Sequence, residues 1–196
     1  MKTFLSILFL SASTVFTACS DNNSSSKEGE TKSDDTTSQA RVNTYEPKKT
    51  GTINDVISGY LDLKNSFASD NGKEGANAAN EITATIEKMD ESALTPEQKK
   101  VYNEVKDDIK EHAEHIGANS SNIVHQREHF DPLSKDVIDL VKATGSSKTL
   151  YIDYCPMYNN KKGASWLSEI IEIKNPYFGS KMSGCGQVKE EIKAKG

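Results

Sequence analysis

The chain lacks the marks of the common enzyme classes. It has no nucleophile elbow, no phosphate-binding glycine loop and no zinc-hydrolase motif, so an enzyme is the least favoured reading. It also lacks a basic cluster. With 24 Lys and Arg against 29 Asp and Glu the net charge is −5, which argues against nucleic acid or an anionic lipid surface as partner. Aromatic side chains make up only 7% of the sequence, and the single tryptophan, Trp166, is expected in the core. There are three cysteines and no paired CxxC, which excludes an ordinary zinc-finger framework. Beyond the N-terminal segment no apolar run is long enough to span a membrane, and no internal repeat is present.

One apolar run does exist, at the N-terminus. Lys2 precedes Phe4, Leu5, Ile7, Leu8, Phe9, Leu10, Val15 and Phe16, and the small residues Thr17 and Ala18 come directly before Cys19. This reads as a secretory signal over residues 1–18, followed by a lipidated Cys19. Residues 19–52 are Ser, Asp, Asn, Lys, Glu and Thr with few apolar side chains. Such a stretch cannot offset its ordering entropy by burial and is expected to be a disordered tether, with a root-mean-square reach of roughly 30 Å. The address implied is the cell envelope, lipid-anchored in the outer membrane and facing the periplasm, with surface exposure as the alternative.

Residues 53–196 are expected to form one mainly α domain. Ile53, Val56, Ile57, Tyr60, Leu63 and Phe67 recur at helical steps, with Lys64 the exception in the stripe, and Asn71-Gly72 ends the run. Ala78, Ala79, Ile82, Ile86 and Met89 form a second stripe whose small side chains let a neighbour approach closely. Thr95-Pro96-Glu97-Gln98 opens a third helix by a capping box with proline in first position, and Val101, Val105, Ile109, Ala113 and Ile116 face inward. A fourth helix spans about Ser121 to Ala143, with Val124, Phe130, Val137, Leu140 and Val141 as core; Pro132 either kinks it or starts a new one after Asp131. Short links imply an antiparallel four-helix bundle.

After Gly145 the character changes. Thr149–Tyr154 and Ile170–Ile173 read as the two strands of a small hairpin, and Val188–Lys195 as a short closing helix. Irregular loops here carry the soft donors, Cys155-Pro156-Met157 and Met182-Ser183-Gly184-Cys185. Thiolate and thioether sulfurs suit Cu(I). In an oxidising compartment a Cys155–Cys185 disulfide is the competing reading, and closing that loop would stabilise the fold by roughly 3.6 kcal/mol. His125 and His129 share one helix face, a spacing that suits metal ligation; His112 and His115 are also spaced for one face. Each pair, taken alone, is more often simply solvated. A Cys155–His129 nucleophile pair is the one enzymatic arrangement on offer, and a thiol beside a second cysteine in an oxidising compartment argues against it.

The segment His125-Gln126-Arg127-Glu128-His129-Phe130 with Leu133-Ser134 resembles a known family. So do Tyr151, Cys155-Pro156-Met157, Trp166-Leu167-Ser168, Ile173, Asn175-Pro176-Tyr177-Phe178-Gly179, Met182 and Cys185-Gly186. The family is one of envelope lipoproteins with a domain of unknown function, similar to the C-terminal domain of periplasmic adaptors of copper/silver RND efflux pumps. The resemblance spans roughly Ile53 to Lys195, although the adaptors' own hairpin and barrel domains are lacking. It implies heavy-metal handling: Cu(I) or Ag(I) held by Cys155, Met157, Met182 and Cys185, with His129 and His125 matching the helix motif, for buffering or transfer to efflux components. The alternative is a structural or interaction lipoprotein whose Cys155 and Cys185 form a disulfide.

Overall fold

Helix starts in this chain are written in its capping residues. Thr52 accepts from the backbone N–H of Asp55, whose carboxylate accepts in return from the N–H of Thr52. These reciprocal bonds open α1, Ile53–Ala68. Thr95 and Gln98 form the same box at the head of α3, Pro96–Ala118, with Pro96 in its first turn. Between them lie α2, Gly72–Ile86, begun by Asn71, and a 3-10 turn, Glu91–Ala93. Asn122 caps α4, Ile123–Thr144. The computed structural model describes residues 50–195. The expected signal segment, Cys19 and nearly all of the tether lie outside the described residues.

The molecule is mainly helical, with a small antiparallel sheet at its C-terminal end. The sheet has three strands: β1, Leu150–Cys155; β2, Ala164–Ser168; and β3, Gln187–Ile192. The order is β2-β1-β3 with both pairings antiparallel. Consecutive helices pack on one another, and β2 rests on α4 and α1. The core joins Tyr60, Leu63 and Phe67 of α1, Ile82 of α2, Ile109 and Ile116 of α3, Phe130, Leu133 and Leu140 of α4, and Trp166 of β2, all fully buried. Tyr60 and Phe130 stack at 5.4 Å, and Phe67 meets Phe130 edge-on at 5.3 Å. No helix among the described residues is long and apolar enough to cross a membrane.

Several sequence expectations change. The second strand is Ala164–Ser168, not Ile170–Ile173. Trp166 and Leu167 give that segment buried side chains, whereas Ile171 is 68% exposed. The segment around Val188 is not a helix. It is the edge strand β3, whose backbone pairs with β1 while its Lys and Glu side chains face water and discourage further pairing. Val124 is not core but 66% exposed. Tyr102, which the helical spacing passed over, is buried on α3, while Val101 is only half-buried. Pro132 starts no new helix. It lies within α4, where its missing N–H leaves the Glu128 carbonyl without its i→i−4 bond.

Two buried charges have distinct solutions. Lys64 is fully buried and ion-pairs with Glu169 at 2.8 Å, while Asn65 donates to the other oxygen of that carboxylate. Asp153, at the centre of β1 and opposite Trp166, is fully buried with no hydrogen-bond partner on either oxygen among the described residues. Burial pushes its pKa up to about 7, and the Lys64 charge offsets only part of that.

Candidate metal centre

The link between α3 and α4 is four residues long, so the last turns of α3 lie beside the first turns of α4. That proximity gathers all four histidines of the chain. His112 and His115 come from α3, His125 and His129 from α4. His129 sits in the middle. Its ring stacks on that of His115 at 4.4 Å and 5°, and meets that of His125 edge-on at 4.8 Å. Its Nδ1 is 3.2 Å from Nδ1 of His112. One ring nitrogen from each of His115, His125 and His129 lies within 4.8 Å of the other two. His115 is exposed; the other three are half-buried.

The surroundings favour ligand chemistry. Burial lowers the His129 pKa, and the neighbouring imidazoles of His115, His125 and His112 lower it further. Burial likewise lowers that of His112. Neutral imidazole is the form that ligates a metal. His125 Nδ1 is 3.1 Å from Glu128 Oε2, the carboxylate–histidine contact that fixes a ring and leaves its Nε2 free to ligate. His112 occupies Nδ1 of His129 in the same manner. The result is three imidazoles each bringing one ring nitrogen within 4.8 Å of the others, with further partners beside His125 and His129. Imidazole donors suit copper, zinc, nickel and iron.

The sulfur residues form a separate arrangement. Cys155 closes β1 and is fully buried. Cys185 follows the turn closed by its N–H to Met182 O, and Asn175 Nδ2 donates to its carbonyl at 2.6 Å. The two Sγ atoms are 2.7 Å apart. Burial, then the Cys155 thiol beside it, push the Cys185 pKa up to about 11, and the Met157 backbone N–H partly offsets this by donating to its sulfur. Met157 and Met182 are 46% and 41% exposed. Two thiolates on one tetrahedral ion, at bonds of about 2.3 Å, would stand roughly 3.8 Å apart. A soft ion between these sulfurs would require them to part by about 1 Å.

Two of the segments that carry the sequence resemblance, His125–Phe130 and Asn175–Gly179, meet at Arg127. Its guanidinium donates to Phe67 O, Asp70 Oδ1 and Pro176 O, each at 2.7 Å. It thereby ties the end of α1 and the Asn175–Gly179 loop to α4. That loop is self-braced, since Asn175 Oδ1 accepts from the N–H groups of Tyr177 and Phe178. His112 and His115 are the site residues that the sequence reading set aside. The available signal was an i,i+3 pair just before a four-residue link and an i,i+4 pair just after it.

Residues 56–149 match the model of a protein family described as of unknown function, DUF3347. That stretch contains all four histidines and ends just before β1; Cys155 and Cys185 lie beyond it. No curated protein and no solved structure matches the chain.

Proposed function

We propose that this chain is a metal-binding module of the cell envelope, lipid-tethered through Cys19, whose site is the imidazole cluster of His115, His125 and His129 with His112 and Glu128 behind it. The observation that carries the reading is the convergence of those three ring nitrogens within 4.8 Å of one another. Copper is the ion assigned. Imidazole holds it in both common oxidation states, and copper stands highest among the divalent first-row ions for such donors. Silver(I) is the soft competitor. Three protein ligands leave a position open for exchange, which suits buffering or delivery to an efflux complex better than permanent storage. The scaffold assigned to the site is an antiparallel four-helix bundle, because links of three and four residues turn α1 into α2 and α3 into α4. The sulfur set of Cys155, Met157, Met182 and Cys185 is a weaker candidate, for the spacing reason given above.

The test is a metal titration of the purified chain against a competing chelator, with Cu(II), Cu(I), Ag(I) and Zn(II) in parallel. One copper should bind per chain. His129→Ala should weaken it at least 100-fold, and Glu128→Gln about 10-fold as an orienting partner. Cys155→Ser/Cys185→Ser should leave it unchanged. Copper affinity unaltered in His115→Ala/His129→Ala, or lost only with the cysteines, removes this site.

A further inference from the structure

We propose that Cys155 and Cys185 form an intramolecular disulfide that staples the end of β1 to the turn leading into β3. The sulfurs stand at 2.7 Å, closer than two unbonded sulfur atoms rest and within a small side-chain adjustment of the bond itself. The backbone holds them there on both sides. Tyr154 pairs with Gln187 between neighbouring strands, so residues 155 and 185 flank that ladder at its end. Cys155 also pairs with Ala164 on the other side of β1, and Asn175 fixes the carbonyl of Cys185. Neither sulfur has to cross the fold to reach the other.

The reaction is thiol–disulfide exchange with an external disulfide, of the small-molecule or protein class found in oxidising compartments. Cys185 is partly exposed and Cys155 is not, so the Cys185 sulfur meets the oxidant. Its thiolate, a minor form of a thiol held well above the usual range, attacks one sulfur of that disulfide, giving a mixed disulfide and releasing one thiol, so the exchange is slow but goes to completion. The Cys155 sulfur then attacks the sulfur of Cys185 and releases the second. Two S–H bonds are lost and one S–S bond is gained; both electrons and both protons leave with the two product thiols. The product encloses β2 and the stack of Tyr158 on Tyr177, at 4.2 Å, in one covalent loop. The histidine cluster lies on α3 and α4, outside the loop, so the inference stands or falls independently of the metal reading.

The experiment is peptide mapping of the full chain, quenched with N-ethylmaleimide and left unreduced, alongside thermal melts with and without reductant. A linked Cys155–Cys185 peptide, lighter by two hydrogens than the sum of the two free peptides, is expected. Reduction should then lower Tm by roughly 10 °C and leave the Tm of Cys155→Ser/Cys185→Ser unmoved. If that variant fails to fold, the linked peptide in the natural chain decides. Recovery of both cysteines alkylated without reduction, or either one linked to Cys19, overturns the proposal.

Discussion

At the scale of single residues, Arg127 and the Asp70 carboxylate it holds link stability to acid. Arg127 is buried and its donors satisfy two backbone carbonyls and a carboxylate. Removing it leaves the Phe67 and Pro176 carbonyls without their donor, at about 1–3 kcal/mol for a buried acceptor left unmatched, while the exposed Asp70 carboxylate regains water. Arg127→Ala should therefore lose roughly 2–3 kcal/mol in urea melts at pH 7, mostly from the unmatched carbonyls and the lost packing of a buried side chain. Its partner Asp70 is held down to about 2 by the Arg127 and Ser180 hydrogen bonds. A depressed carboxyl contributes stability that is present above its ordinary value and is lost as pH falls through the folded one. Natural protein should thus lose stability between pH 4 and 2, and Arg127→Ala should lose less over that window. Parallel slopes in the two proteins would separate Asp70 from Arg127.

At the scale of elements, the α1–α2 contact rests on a missing side chain. A Cβ on Gly59 would come within 2.9 Å of Ile82 Cγ1. Ile82 is fully buried on the stripe of small residues that the sequence displays, so it has nowhere to retreat. Gly59→Ala gains helix propensity yet overpacks this contact, and a net loss of about 1–2 kcal/mol is expected from chemical denaturation. A stabilised Gly59→Ala would mean that the helices part at little cost. The sheet shows the opposite economy. β3 carries mostly exposed side chains and is held by its ladder to β1, which is why its side-chain pattern did not announce a strand.

At the scale of the whole molecule, two opposing proton equilibria meet near neutrality. Asp153 carries a folded pKa of about 7, above its ordinary 3.8. The folded state therefore keeps a proton that the unfolded chain releases, and stability falls as pH rises through that interval. His112 and His129 are depressed instead, so the unfolded chain binds more protons just below pH 6.5 and stability rises with pH there. The two slopes oppose each other in the natural chain. Asp153→Asn removes the first, so its Tm should exceed that of the natural protein at pH 8, differ little at pH 4, and climb with pH between 5 and 7. A Tm difference independent of pH would show that Asp153 is not the group that titrates.

The sequence alone determined the four long helices, though not the end of the chain, because apolar spacing, capping boxes and helix-ending turns are local: α3 could be placed from Thr95, Pro96 and Gln98, and its end near Gly117 to within a residue. It also determined that Trp166 is buried, and it singled out Cys155 and Cys185 together. Only the tertiary structure decided which histidines belong together, since His112 and His115 gain meaning solely from the helix packed against them. It decided as well that β3 is a strand and that the sulfurs stand at pairing distance. Local pattern records which face of a segment is apolar; it does not record which segment lies opposite, and the contacts of His112 and His115 with His129, and of Cys155 with Cys185, all cross from one segment to another.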